Sequence, residues 1–304
     1  MRVLVTGASG FIGTPAVEEL VRSGAEVHSL GRRDPAIPGC TQHHVDLIET
    51  ADLAPRVAQV KPTHLLHLAW VTTPKLLWTT EENLDWVAAS LRLVRAFAAA
   101  GGRRAVLSGT GAEYSWGEHV LDERDTPLLP ATPYGQAKAS LFQILQKFGP
   151  GLGLSLAWGR VFFPFGPREK PGRLLPDTIR ALLEGRPAEL TDGLQLFDFM
   201  LVDDVASAFV QLLGSDVEGP VNVASGTVRS VRSVVEAFAA RLGRGDLLRF
   251  AARSRDPWEV PAVRAAVSRL REEVGFTPRY DWDEAVDRTI EWWRAQALTR
   301  SKRA

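Results

Sequence analysis

Three side chains near the middle of the chain have the types and spacing needed to move a proton to or from a carbonyl oxygen. Tyr134 and Lys138 stand four residues apart in Tyr134-Gly135-Gln136-Ala137-Lys138, directly behind Pro133, which suits the first position of a helix. On a helix this spacing puts the phenol and the ammonium on one face. An ammonium beside a phenol favours the phenolate, so Tyr134 is expected to exchange its proton nearer neutral pH than free tyrosine does. Thr110 follows the apolar run Ala105-Val106-Leu107-Ser108, and its hydroxyl can orient the same oxygen. Together the three form a minimal set for interconverting a carbonyl and an alcohol.

Hydride chemistry of that kind needs a dinucleotide, and the N-terminus carries a turn suited to one. Thr6-Gly7-Ala8-Ser9-Gly10-Phe11-Ile12-Gly13 follows the apolar run Val3-Leu4-Val5 and opens a helical stretch. Gly7 permits the tight turn, Gly10 lets the backbone approach a pyrophosphate, and Gly13 permits close packing of helix on strand. The free N–H groups of the helix N-terminus then face the phosphates. The second apolar run ends Leu30-Gly31-Arg32-Arg33, with no carboxylate to accept the ribose hydroxyls and two guanidinium groups that suit a 2′-phosphate. These residues point to NADP(H), with NAD(H) as the alternative.

The elements that must position these groups alternate along the first half of the chain. Short apolar runs at 3–5, 27–30, 64–68, 105–108 and 154–158 read as buried strands, and stretches at 12–23, 83–100 and 134–148 read as helices. Continuous apolar strands separated by helices make a parallel sheet covered on both faces. The expected fold is therefore α/β, a Rossmann-type doubly wound parallel sheet, with a smaller, mostly helical C-terminal substrate lobe. The dinucleotide-binding domain is expected over 1–165, with 198–224 returning to it, and the substrate lobe over 166–197 and 225–304. A helix is expected from Asp177 to Glu184, and late strands at Met200-Leu201-Val202 and Val221-Asn222-Val223, returning to the main sheet or its edge.

Bulk composition narrows the function classes. The 304 residues carry 36 basic and 36 acidic side chains and 45% hydrophobic residues, so a nucleic-acid groove, which needs a basic excess, is not expected. Cys40 is the only cysteine, which excludes an intrachain disulfide and a cysteine-based zinc site and suits a reducing compartment. The six histidines show no metal spacing, and no apolar stretch is long enough to span a membrane. Met1-Arg2 leads straight into the first strand with no separate secretion signal, so a cytoplasmic protein is expected. The tryptophans Trp70, Trp78 and Trp116 fall in stretches expected near the substrate, although tryptophan more often simply packs a core.

Taken together, these motifs resemble the extended short-chain dehydrogenases/reductases, the NAD(P)-dependent nucleotide-sugar epimerase/dehydratase/reductase group. The resemblance runs nearly end to end. It rests on the turn at 6–13, Asp46-Leu47, His67-Leu68-Ala69, Asn83, Ser108-Gly109-Thr110-Gly111-Ala112-Glu113-Tyr114, Arg160 through Gly166-Pro167, Asp198-Phe199 through Asp203-Asp204-Val205, and Gly275-Phe276-Thr277-Pro278. It implies that Thr6, Gly7, Ser9, Gly10, Phe11, Ile12, Gly13, Arg32, Arg33, Asp46, Leu47, Leu68, Ala69, Trp70, Asn83, Ser108, Tyr134 and Lys138 line the cofactor. Substrate would meet Thr110, Gly111, Arg160, Phe163, Arg173 and Arg253. The helices at 83–100 and 134–148 correspond to those that build a homodimer interface in that group.

Departures from the family pattern refine the expected reaction. Sugar 4,6-dehydratases of the group carry an acid one or two places after the catalytic threonine, where this chain has Gly111 and Ala112; Glu113 is out of register. Epimerase-reductases carry a cysteine near the same point, and it is absent. Phe163 and Phe197 replace an asparagine and an arginine that touch a diphosphate in the group. The reading that follows is NADPH-dependent reduction of a 4-keto nucleotide sugar. A 4-epimerase with retained NAD is the enzymatic alternative, and a non-catalytic NADP-sensing regulator is the alternative of another class.

Overall fold

The computed structural model describes residues 1–117, 120–255 and 260–301. Its strands are β1 (Arg2–Thr6), β2 (Glu26–Gly31), β3 (Cys40–His44), β4 (His64–His67), β5 (Arg104–Thr110), β6 (Val120–Leu121), β7 (Ser155–Val161), β8 (Phe163–Phe165), β9 (Ala188–Glu189), β10 (Leu196–Leu201), β11 (Gly219–Val223), β12 (Val228–Ser230), β13 (Leu248–Arg249) and β14 (Ala262–Ala265). The helices are α1 (Gly13–Arg22), α2 (Ala54–Val60), α3 (Glu82–Ala99), α4 (Pro133–Phe148), α5 (Leu174–Leu183), α6 (Val202–Gly214), α7 (Val231–Leu242) and α8 (Trp282–Ser301).

Seven of the strands form one parallel sheet in the order β11-β7-β5-β4-β1-β2-β3. Their side chains alternate between two cores, as the two-residue period of a strand requires. Val3, Val5, Val27, Leu66, Val106 and Val221 pack under α1 and α6, while Leu4, Leu30, Leu65, Leu107 and Trp158 pack under α2, α3 and α4. The strand order reverses beside β1, where β2 departs to one side and β4 to the other. Ligands of open parallel sheets bind above such a point, at the carboxyl ends of the strands. Thr6, His67 and Thr110 all close their strands at that end.

Two elements of this sheet layer carry no sequence signal of the kind used above. β3 reads Cys-Thr-Gln-His-His, with no apolar run, and it joins the sheet as an edge strand through backbone bonds to β2. α2 is seven residues long and buries only Val57 and Val60. The smaller lobe adds a short sheet to its helices. Its helices α5, α7 and α8 share a core built from Ile179, Val234, Phe238, Val286, Ile290 and Trp293, yet it holds a second sheet ordered β12-β10-β14-β6, with β8 beside β10. Met200 and Leu201 therefore lie in that second sheet and not in the main one, whereas Val221–Val223 form the main sheet's outer strand, as expected. The helix expected from Asp177 begins earlier, at Leu174. Among the described residues no helix is long and apolar enough to cross a membrane, and no cluster of His, Cys, Asp and Glu is arranged to hold a metal.

Candidate active site

The glycine turn is a cradle that side chains would fill. Gly7 has φ +72°, and a Cβ there would lie 2.7 Å from the backbone nitrogen of Ala69 at the end of β4. A Cβ on Gly13 would lie 1.9 Å from the Gly7 carbonyl oxygen, so α1 packs against the turn at backbone distance. α1 starts with no capping side chain and no acidic residue in its first turn, which leaves N–H donors pointing at the turn. Backbone room and unclaimed donors together fit a pyrophosphate. Ser9 is exposed and Gly10, Phe11 and Ile12 are half-buried around this cradle.

Some residues expected to line the cofactor support the cradle from behind instead. Thr6 is fully buried, and its hydroxyl bonds His67 Nδ1 at 2.6 Å. His67 is a core histidine whose Nε2 meets the Ser90 hydroxyl at 2.8 Å. Burial holds its pKa down at about 3, so the ring is neutral. Asn83 is 2% exposed and spends its whole amide internally: Nδ2 donates to the carbonyls of Leu77 and Thr80, and Oδ1 accepts the indole N–H of Trp70 at 2.8 Å. Asn83 thus fixes Trp70 and has no free group for a ligand. Leu47 is buried, and its carbonyl accepts Arg92; Asp46 caps its own turn and pairs with Arg32 at 3.6 Å. Arg32 keeps most of its side chain exposed in this long contact, as does Arg33 beside it.

The catalytic set converges at the end of β5. Thr110 is 9% exposed; its Oγ1 accepts the Ala112 N–H at 3.2 Å, and its side chain lies close enough to the Tyr134 phenol to favour the phenolate. Tyr134 opens α4, whose N-terminus is capped by the Thr132 hydroxyl, and Trp78 meets its ring edge-on at 5.6 Å. The Lys138 ammonium lies one turn further on. It donates to the Ser108 carbonyl at 2.7 Å and sits 3.7 Å over the Trp70 ring.

This arrangement corrects the proton-exchange expectation. Lys138 is turned toward Ser108 and Trp70, not held against the phenol, and burial brings its pKa down to about 7. Tyr134 keeps part of its ring at the surface but is densely surrounded, and this desolvation pushes its pKa up to about 12, with the Thr110 side chain opposing. At neutral pH the phenol keeps its proton.

Expected substrate residues divide into two groups. Arg173 is exposed at the start of α5 and close enough to Tyr134 to stabilise its phenolate. Gly111 is buried beneath Trp116, whose indole donates to its carbonyl at 2.6 Å, and beneath Phe162. Phe163 and Phe197 are half-buried and stack on one another at 4.2 Å and 8°, an apolar wall in place of polar grips. Arg253 is exposed near the Arg255–Asp192 ion pair. Arg160, by contrast, is not at the cleft. It is 1% exposed and faces inward, donating to Glu113 at 2.7 Å and to the Tyr114 hydroxyl at 2.8 Å.

A segment with no sequence signal joins α1 to the loop after β4. Residues 166–173 leave β8 and run between α1 and the loop after β4. Arg168, at φ +69°, pairs with Glu18 of α1 at 3.0 Å. Lys170 donates to the Thr72 hydroxyl at 3.0 Å, and a Cβ on Gly172 would touch Pro74 at 3.4 Å. Glu169 between them is 8% exposed. The segment thus straps α1 to the loop after β4, the two elements that flank the glycine turn.

The geometry agrees with comparison to known proteins. The family model described as the NAD dependent epimerase/dehydratase family matches residues 3–224. The chain belongs to that family. A UDP-glucose 4-epimerase of Azospirillum brasilense is 30% identical to it, covering 97% of this chain and 92% of the relative. The solved structure of MoeE5 in complex with UDP-glucuronic acid and NAD is 30% identical, covers 97% of this chain and 100% of its own, and superposes with a TM-score of 0.85. The Thermus thermophilus UDP-glucose 4-epimerase, solved with NAD, is 27% identical with a TM-score of 0.87, covering 97% of this chain and 99% of its own. Relative to the family pattern, this member combines an uncharged Gly111-Ala112 pair after its threonine with a buried Glu113.

Proposed function

We propose that this family member catalyses reversible oxidation at one carbinol carbon of a nucleotide-linked sugar, with a bound nicotinamide dinucleotide, and that its net reaction is 4-epimerisation. The carrying observation is the convergence of Thr110, Tyr134 and Lys138 on one cleft, with no second acid or base at Gly111 or Ala112. A set with a single proton-exchanging phenol serves one carbon, and elimination across neighbouring carbons lacks its base.

The dinucleotide, when bound, supplies hydride acceptance and donation. Gly7, Ser9, Gly10, Phe11, Ile12 and Gly13 would hold its pyrophosphate, and Asp46 and Leu47 would meet the adenine end. Leu68, Ala69, Trp70, Ser108 and Lys138 would surround the nicotinamide end. Oxidation of the alcohol draws on the phenolate form of Tyr134, which Thr110 and Arg173 favour against desolvation and which takes the hydroxyl proton; the phenol so formed returns a proton to the oxygen when the carbonyl is reduced. Thr110 holds that oxygen in line with the phenol. Arg173 lies where it can meet the substrate's negative charge.

The strap favours the epimerase over the reductase expected from sequence. A redox-neutral reaction needs a cofactor that stays, and a segment tied to α1 on one side and to the β4 loop on the other hinders its exit. The relatives named above, two of them UDP-glucose 4-epimerases, support the same reading. A second reading, an NADPH-dependent 4-ketoreductase, rests on exposed Arg33 and on Lys170 close enough to feel its charge. Both readings include a homodimer through α3 and α4, which leave Leu84, Ile144 and Phe148 exposed.

The test is to identify the nucleotide released on denaturing the purified protein, then incubate the native protein with UDP-galactose and no added reductant. Resident NAD and formation of UDP-glucose support the epimerase. An absolute requirement for added NADPH, consumed stoichiometrically with a 4-keto sugar nucleotide, supports the reductase. No bound dinucleotide and no conversion under either condition would remove both.

A further inference from the structure

Glu113 is a completely buried carboxylate beside the reacting groups, and nothing in the chemistry above uses it. It sits at 0% exposure with both oxygens occupied: Oε1 accepts the Thr110 backbone N–H and the Trp158 indole N–H, each at 2.8 Å, and Oε2 accepts Arg160 Nε at 2.7 Å. Together with the Thr110 hydroxyl, it closes a reciprocal cap on the short turn Gly111–Glu113. Caps of this kind ordinarily lie at a helix end in contact with water. Here the cap is enclosed, and the strand before it is opened to admit the carboxylate. A Cβ on Gly109 would lie 2.5 Å from Glu113 Oε1 and 2.0 Å from the Trp158 nitrogen.

The network continues away from the cleft. Arg160 also donates to the Tyr114 hydroxyl, which donates to Asn222 Oδ1 at 2.8 Å, and the Asn222 side chain is pinned to the carbonyls of Leu121 and Ala266. A buried ion pair of this quality is costly to desolvate, and an apolar pair of the same volume often matches it for stability. The contact of Glu113 with Thr110 gives the pair a role that stability alone does not. Thr110 is held at its nitrogen by Glu113 and at its hydroxyl by the Ala112 N–H, so the carboxylate fixes the backbone from which the hydroxyl projects toward Tyr134.

We infer that Glu113, with Trp158 and Arg160 as its counter-groups, is a positioning residue that sets Thr110 against Tyr134 and places a negative charge behind the proton-exchanging pair. This rests on the carbonyl/alcohol reading of the site. The ionisable groups facing the cluster are Tyr134 and Lys138 from α4, Arg160 from β7, Tyr114 beyond the turn, Glu123 beyond Tyr114, and Arg173 from the strap. Desolvation dominates at both groups, and the charge of Glu113 adds to the rise at Tyr134 and opposes the fall at Lys138.

The test compares Glu113→Gln with the double variant Glu113→Gln/Arg160→Met, which removes the arginine left unpaired by the first. Two readouts are used. The first is tyrosinate absorbance against pH, with Tyr134→Phe in each background isolating Tyr134 among the three tyrosines of the chain. The second is kcat and KM on UDP-galactose. Glu113→Gln is expected to move Tyr134 ionisation to lower pH, and to lower kcat by about ten- to a hundredfold with KM within about twofold, as for a misplaced catalytic group. The double variant is expected to regain thermal stability without regaining kcat. Recovery of wild-type kcat in the double variant would overturn the inference, since Glu113 would then serve only to neutralise Arg160. An unmoved Tyr134 titration in both variants would overturn it as well. The titration needs no sugar substrate, so failure of UDP-galactose to react refutes the epimerase reading while the Glu113 inference is still decided.

Discussion

Loosening the strap should speed release of the dinucleotide. The perturbation is Arg168→Ala with Lys170→Ala, which cuts the tie to Glu18 on α1 and the tie to Thr72 after β4. The Arg168–Glu18 pair is partly exposed, at 35% and 36%, so solvent limits its worth. Exposed pairs of this kind contribute about 0.2–1 kcal/mol, and we assign the Lys170 bond a similar amount. Their joint loss of about 0.4–2 kcal/mol corresponds to release roughly two- to thirtyfold faster, at about tenfold per 1.4 kcal/mol. The assay is stopped-flow displacement of bound NADH by excess NAD⁺, followed by nicotinamide fluorescence. Because one tie is an ion pair, wild-type release should also quicken with added salt, and the double variant should respond less. Arg186→Ala, which removes an exposed ion pair to Glu184 elsewhere, is the control. Equal release rates for the double variant and the wild type, or an equal acceleration in the control, would falsify the strap's role.

Three further outcomes are expected. Tyr134→Phe should reduce turnover by about 10²- to 10⁴-fold while dinucleotide binding, titrated by fluorescence, stays intact; unaltered turnover takes Tyr134 out of the mechanism. Gly13→Ala should abolish dinucleotide binding, since its Cβ would lie 1.9 Å from the Gly7 oxygen and neither backbone can yield; calorimetric titration showing wild-type affinity would contradict the cradle. Burial places the Glu169 carboxyl at about 8, above the ordinary 4.5, so the folded chain keeps a proton there that the unfolded chain loses. Its contribution is complete below about pH 4.5 and is lost as pH rises to about 8, by up to about 1.4 kcal/mol per pH unit. Chemical denaturation of Glu169→Gln should therefore show a shallower fall in stability across that window than the wild type, and parallel curves would refute the assignment.

Dinucleotide binding was legible in the sequence because its requirements are local. The turn needs glycine at Gly7, Gly10 and Gly13 for reasons of backbone space, and the flanking strand and helix follow in the next few residues. The sheet was legible for a related reason: strands buried on both faces must be apolar throughout, so β1, β4, β5 and β7 announce themselves. β3 does not, because an edge strand built from Cys40, Thr41, Gln42, His43 and His44 is held by backbone bonds that any residue can make. Tyr134, Lys138 and Thr110 could be picked out from spacing and from a strand end, since one helix and one strand carry them.

Tertiary structure decided which way these groups face and what surrounds them. The i, i+4 spacing puts Lys138 on the face of Tyr134, but only the fold shows its ammonium spent on the Ser108 carbonyl and the Trp70 ring, which are 30 and 68 residues away in sequence. Desolvation then outweighs pairing, and the phenol titrates high where the sequence suggested low. The family resemblance placed Arg160 at the substrate; its partner Glu113 is 47 residues distant, and only packing brings the pair together in the interior. The strap is the clearest case. Arg168 and Lys170 carry no motif of their own, and no local pattern connects them to their partners Glu18 and Thr72. Sequence alone determines what a residue can do over a turn of helix or a pair of strands. Desolvation and long-range contacts, which belong to the folded chain as a whole, decide what it does.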